Sequence, residues 1–410
     1  MHSLAVGSGY FCRYLRWSGT VGLSVASFLA ASAGVTEGAE KTQGTVAPVI
    51  RFCPGTEVWT YPLESQRSLQ SLMLQAVALV NPRGADEFGA ESMEIQLLSK
   101  GEVKDSRFLG KAELAKNAAA APQIEGLNQV LPGQLCDGAL VKDLKLAKST
   151  ALGSGEALVV MNETFAGSGE RDAVRVIVRG RGKGGPVEVK EELPIRGGMS
   201  KTAFRFPLRG DWFIGAGPTL HSHHRWGTME EFAYDIMKVG DKGRSYSGEG
   251  LKFSDYYAYG APVLAAADGE VVEVVNDVPE DASAMRRPDE TQEAYRNRLI
   301  GEQGKRLAGG ARGIIGNCVI LDHGNGEFSI YAHLQPGSVR VEKGQKVKAG
   351  DEMAKLGSSG NSTEPHLHFQ VSNAPKALTA AGIPARFVEI EIPMELGPRP
   401  LQSGDLVTAK

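Results

Sequence analysis

The chain has 410 residues, 42% of them hydrophobic, enough to bury two or three domain cores. It carries 45 basic and 48 acidic residues for a formal net charge of −3, and no basic stripe stands out, so nucleic-acid binding has no electrostatic support. The 51 glycines and modest aromatic content favour turn-rich β structure over long helices.

Residues 1–33 read as an export signal. Arg13 and Arg16 supply a positive region, residues 19–33 form an uncharged, largely apolar run, and Ala31-Ser32-Ala33 is a small-residue cleavage site. The run is shorter than the roughly 20 residues that span a bilayer, so cleavage is expected rather than anchoring. No other segment is long and apolar enough to cross a membrane. The mature protein is therefore expected outside the cytoplasm, periplasmic or secreted, with no stable membrane span.

Residues 34–47 are small and polar and read as a flexible lead-in. Residues 48–198 read as a β-rich accessory domain. Strands are expected at Leu74–Val80, Met93–Leu98, Ala157–Met161 and Ala173–Val178, with an alanine-rich helix at Lys111–Ala121 between the two pairs. This pattern suits a small sandwich. Residues 179–185 read as a hairpin turn. No histidine occurs between residues 3 and 220, and no catalytic constellation is visible here, so the default role is binding or positioning. Cys12 leaves with the signal. An oxidising compartment permits a Cys53–Cys136 disulfide, which spacing alone leaves open. Cys318, among apolar neighbours, reads as a buried small hydrophobe.

The second domain is expected over 200–395, after Arg196-Gly197-Gly198, with 396–410 as a C-terminal tail. Val263–Ala267 and Glu270–Val275 flank Asp268-Gly269 and read as a hairpin. Val319–Asp322 and Phe328–His333 flank a loop containing Asn325-Gly326. Short strands follow at 339–341, 346–347 and 353–356. A charged helix is expected from Asp289 or Thr291 to about Leu307, after Pro288, as a surface excursion inserted between two strand pairs of a β domain.

His2 aside, every histidine falls in this second half: His221, His223, His224, His323, His333, His366 and His368. In the strand-like His366-Leu367-His368-Phe369, residues i and i+2 share a face. Both imidazoles then project together while Leu367 and Phe369 enter the core. Such a pair is a two-nitrogen platform for a metal, against the plainer reading of two exposed strand histidines. Asp235, in Phe232-Ala233-Tyr234-Asp235-Ile236, faces away from Tyr234, and His224 lies eleven residues before it. One histidine of the pair with Asp235 and His224 makes three protein ligands and leaves a fourth position for water, the mark of a catalytic rather than a structural zinc. The metal brings its water's pKa to roughly 7. Proton transfer and oxyanion stabilisation fall to histidines that need not bind metal: His333, in Tyr331-Ala332-His333-Leu334, and the second of the pair. His323 reads as structural or exposed.

The order His224…Asp235, Tyr331-Ala332-His333-Leu334, Pro365-His366-Leu367-His368-Phe369 resembles that of the lysostaphin-like (LytM-type) zinc metallopeptidases, which are peptidoglycan endopeptidases. The framework is similar too: Gly260-Ala261-Pro262-Val263, Ala267-Asp268-Gly269-Glu270, Gly316-Asn317-Cys318-Val319 and Gly357-Ser358-Ser359-Gly360-Asn361-Ser362. The likeness runs from about His221 to Val388. It implies a mainly β fold, an antiparallel β-sheet peptidase domain with an inserted helix behind the sandwich-like domain. It also implies Zn2+ held by His224, Asp235 and His368, with His333 and His366 catalytic. His221 and His223 compete with His224, which is preferred because its offset from Asp235 looks like that of a subfamily with a similar aromatic-Ala-Tyr-Asp ending. The implied activity is zinc-dependent hydrolysis of peptide bonds in peptidoglycan peptides. The alternative is a non-catalytic cell-wall-binding or hydrolase-activating protein that retains the fold.

Overall fold

The computed structural model describes residues 46–63, 68–130, 135–136, 139–220, 222–285, 287–393, 395 and 399–410. The export-signal reading over 1–33 and residues 34–45 of the lead-in lie outside them. The fold is mainly β. Among the described residues no helix is long and apolar enough to cross a membrane.

The first domain is one bent sheet of ten strands. Its path runs Glu102–Gly110, Phe88–Ser99, Ala173–Gly182, Gly185–Arg196, Val58–Pro62, Leu69–Asn81, Glu156–Ser168, Lys145–Leu146. A two-residue parallel contact, Ile195 and Arg196 against Val58 and Trp59, joins its two halves. Leu74, Val77 and Leu79 from one half meet Met93, Ile95 and Val176 from the other in a common core, which gives the sandwich character. The expected helix spans Lys111–Ala119 and is followed by a second, Ala121–Val130. The residue 179–185 segment does form the hairpin between Ala173–Gly182 and Gly185–Arg196. Cys53 and Cys136 are disulfide-bonded. Cys318 is buried, and burial pushes its thiol up to about 12, as an inert core position requires.

The second domain holds another ten-stranded sheet. Its path runs Lys346–Val347, Gly269–Val275, Asn317–Asp322, Phe328–Leu334, Leu367–Ser372, Tyr234–Met237, Gly210–Ala216, Leu406–Ala409, Ile390–Glu391. Leu406–Ala409 pairs with Gly210–Ala216 and buries Val407 and Ala409, so the sheet extends beyond residue 395. The Asn317–Asp322 and Phe328–Leu334 hairpin forms as expected.

Two local expectations fail. Asp268-Gly269 does not close a hairpin. Pro262–Leu264 pairs with Glu352–Lys355, whereas Gly269–Val275 pairs with Asn317–Asp322 and Lys346–Val347. The Asp268 carboxylate accepts from the Ala349 N–H at 2.9 Å and the Lys348 ammonium at 2.7 Å, so the turn passes the chain from one sheet to another. Residues 339–341 form no strand. Val339 N–H is spent on the Asn276 side chain while Val341 plugs the core. The inserted helix, Gln292–Ala308, starts where expected because the Thr291 hydroxyl accepts from the Ala294 N–H at 3.2 Å. A short helix, Gly310–Ile315, follows it.

Candidate metal centre

Three adjacent antiparallel strands, Phe328–Leu334, Leu367–Ser372 and Tyr234–Met237, build the site. Their register sets His368 between Asp235 on one side and Ala332 on the other. The two-residue period sends Tyr234, Ile236, Leu367 and Phe369 into the core and leaves Asp235, His368 and Gln370 on the opposite face.

Asp235 is the hub. Its Oδ1 lies 3.1 Å from His368 Nδ1 and 3.4 Å from His366 Nε2, and its Oδ2 lies 3.3 Å from His224 Nε2. Burial raises its carboxyl, but His224 and His366 outweigh that and hold it well below the usual carboxylate range. His223 Nε2 is 3.9 Å from Oδ2, on a mostly exposed side chain. The donor atoms of His223, His224 and Asp235 all lie within 4.8 Å of one another, so the competition between neighbouring histidines foreseen in the sequence is real in space. His221 lies outside the described residues.

Each ring is oriented from behind. His224, in the turn His223–Trp226, donates Nδ1–H to the Ala233 carbonyl at 3.2 Å and turns Nε2 to the carboxylate. His366 donates Nδ1–H to the Glu364 carbonyl at 2.8 Å, which also frees Nε2. His333 donates Nδ1–H to the Ser359 carbonyl at 2.8 Å. His368 faces acceptors at both nitrogens, Asp235 and, at 2.9 Å, Gln370 Oε1. Burial lowers its pKa and Asp235 more than reverses this, taking it up to about 9. Gln370 was missed in the sequence; its signal is its position two residues after His368 on the same strand face.

His333 reaches the site by a different route. Strict alternation from Tyr331, which is buried in the core, would send it inward. Its φ of +61° breaks the alternation and turns the ring to the groove. Its ring centroid is then 4.8 Å from that of His366 and 5.8 Å from that of His368. Burial, followed by His366 and His368, pushes its pKa well below the usual histidine range, so it is neutral. The loop that supplies the Ser359 carbonyl approaches through two glycines. A Cβ on Gly360 would lie 2.4 Å from the Gly316 nitrogen, and Gly360 has φ of +74°. His323 is structural: its ring nitrogens bond Asp268 O and Ser329 Oγ, both at 2.7 Å, and it stands edge-on to Phe204.

The histidines line a groove of about 610 Å3. Leu299 and Leu307 of the inserted helix, Trp226, and Leu127 of the first domain form its walls. The donor set fits a divalent cation of intermediate hardness. His224 Nε2 and His368 Nδ1 each lie within 3.3 Å of an Asp235 carboxylate oxygen, though His368 is not among the donors that all lie within 4.8 Å of one another, and both imidazoles hold their remaining nitrogen on an acceptor. A cation held at His368 would replace the proton by which its ring bridges Asp235 and Gln370.

Comparison with known proteins agrees with the resemblance. Residues 302–380, which include His333, His366 and His368, match the model of peptidase family M23. The cell division protein DipM of Caulobacter vibrioides is 29% identical over 140 residues, 34% of this chain and 17% of that protein. The peptidoglycan DD-endopeptidase ShyA of Vibrio cholerae is 37% identical over 79 residues, 19% of this chain and 16% of that protein. The chain thus spans less than a fifth of the length of these curated relatives. Among solved structures, the catalytic domain of the antimicrobial peptidase lysostaphin from Staphylococcus simulans aligns at 21% identity over 42% of this chain and 86% of that one, with a TM-score of 0.23 from which nothing further follows. On the strength of the 302–380 match and of its sequence relatives, this chain carries a domain of peptidase family M23.

Proposed function

We propose that this protein is an exported, zinc-dependent endopeptidase that hydrolyses peptide bonds of peptidoglycan. His224, Asp235 and His368 are read as the metal ligands, and His333 and His366 as the catalytic histidines. The reading rests on one observation: His224, His366 and His368 all approach the partly buried carboxylate of Asp235 within 3.4 Å, in a groove large enough for a peptide. The kinship with a peptidoglycan DD-endopeptidase supports the substrate class.

When bound, zinc supplies a Lewis acid that polarises a carbonyl and acidifies water. The chain supplies the rest. His333, neutral and fixed through Nδ1–H on Ser359, offers the Nε2 lone pair as proton acceptor for an attacking water. Burial lowers the pKa of His366, fixed through Nδ1–H on Glu364, but Asp235 outweighs this and raises it, and in its protonated form the ring presents Nε2–H to the scissile carbonyl oxygen. As the water oxygen bonds to the carbonyl carbon and the carbon–nitrogen bond breaks, the proton taken at Nε2 of His333 passes to the leaving amine. Leu299, Leu307 and Trp226 place apolar walls in the same groove.

The test is to purify the mature protein, measure its zinc, and digest cross-linked muropeptides with and without chelator, reading products by mass spectrometry. Cleavage that survives complete metal removal rejects the proposal. Stoichiometric zinc with no cleavage of any wall peptide, together with activation of a separate hydrolase, would favour the activator reading instead.

A further inference from the structure

We infer that the accessory domain is part of the framework of the metal centre, with Ser71 and Gln75 as positioning residues for His224. The inference rests on reading His224 and Asp235 as ligands. Strand Leu69–Asn81 is buried on both faces along nearly all its length. Leu72 and Leu74 serve its own domain's core. Ser71 and Gln75, on the other face, serve the peptidase domain.

Gln75 Nε2 donates to the Arg225 carbonyl at 2.6 Å, and Arg225 Nη1 donates to Ser71 Oγ at 2.9 Å. Arg225 is 0% exposed, pairs with Glu231 at 3.2 Å and lies over the Phe232 ring. Arg225 directly follows His224 in a single four-residue turn, too short to hold its own geometry. The second ligand segment is held the same way. Tyr61 donates its hydroxyl to the Leu401 carbonyl at 2.6 Å and accepts from the Tyr234 hydroxyl at 2.8 Å, and Tyr234 directly precedes Asp235.

A buried guanidinium–carboxylate pair is a poor source of stability but tolerates only one arrangement, so its best-attested use is to fix a register. Here the arrangement it fixes is the backbone beside His224, and the partners that complete it come from the other domain. Histidine ligands depend on groups behind them for orientation, and loss of such a group typically weakens metal binding 10- to 100-fold.

The test uses the full chain and Co2+ as a spectroscopic substitute, with zinc affinity from chelator competition. Arg225→Ala would leave Glu231 buried and unpaired and risks unfolding, so Ser71→Ala and Gln75→Ala are the informative variants. Gln402→Ala is the control, because it removes a 2.7 Å interdomain hydrogen bond to the Leu63 carbonyl while leaving the hydrogen bonds of Ser71, Gln75 and Tyr61 in place. Ser71→Ala and Gln75→Ala are expected to weaken metal binding about 10-fold and to change the Co2+ absorption bands, with Ser71→Thr restoring both. Gln402→Ala is expected to keep wild-type affinity and spectrum. Wild-type affinity in both Ser71→Ala and Gln75→Ala, or equal weakening in Gln402→Ala, overturns the inference. An unmodified chain that binds neither Co2+ nor zinc instead overturns the ligand reading beneath it.

Discussion

Asp235 and His368 stand directly opposite each other in neighbouring antiparallel strands, with carboxylate oxygen and Nδ1 3.1 Å apart. His366 shares the second strand's leading edge, and its Nε2 is 3.4 Å from the same oxygen. These distances do not by themselves separate ligand from catalyst; the substitutions do. His368→Ala is expected to lower zinc content and activity together, whereas His366→Ala is expected to keep zinc and lose activity by roughly 10²- to 10⁴-fold. Metal analysis beside a turnover assay decides it, and equal loss of zinc in both variants contradicts the roles.

Gly360 and Gly316 hold the loop behind His333. Alanine at 360 adds a Cβ 2.4 Å from the Gly316 nitrogen and forces a side chain into a left-handed conformation. Gly360→Ala is therefore expected to cost about 1–3 kcal/mol of stability. It should also cut kcat through His333 while leaving zinc content intact. Thermal melts, zinc analysis and kinetics on one preparation check this; an unchanged kcat argues that the loop does not position His333.

Glu231 gives a stability signature with a defined sign. Burial drives its carboxyl from 4.5 up to about 7, opposed by Arg225 and Gln75. The folded state therefore binds this proton more tightly than the unfolded one. Its contribution is full below about pH 4.5 and is lost as pH rises towards 7. In metal-free protein, the unfolding free energy of wild type minus that of Glu231→Gln is expected to fall by about 1–3 kcal/mol across that window. Urea titrations at several pH values measure it, and a flat difference rules out the shift.

Arg298 ties the inserted helix down. It forms a forked pair with Glu290, at 2.8 and 2.7 Å, and donates to the carbonyls of Ser283 and Met285. Arg298→Ala is expected to loosen residues 289–310 and speed limited proteolysis there several-fold. Because Leu299 and Leu307 wall the groove, KM should rise more than kcat falls. Unchanged proteolysis would show that the segment is held by packing alone.

The insertion and its cap at Thr291 were legible because helix-start chemistry is local. The same holds for the His366-Leu367-His368 pair, whose common face follows from the period of a strand. The second helix of the first domain, Ala121–Val130, was not seen, and its Pro122 and Gly126 show why: its sequence carries weak local preference. The Asp268-Gly269 turn misled for a related reason. A two-residue turn is compatible with a hairpin, but which strands pair depends on partners far along the chain.

The sequence by itself determined the mainly β character, the concentration of histidines in one half, and the kinship that names five side chains. Tertiary structure decided which of them meet. Strand order brings residues 235, 333 and 368 together across more than a hundred positions, a left-handed φ turns His333 outward, and a buried arginine couples the first domain to the second. Local sequence encodes period and capping, whereas register, positive φ and interdomain bonding are settled only when distant segments compete for the same buried space.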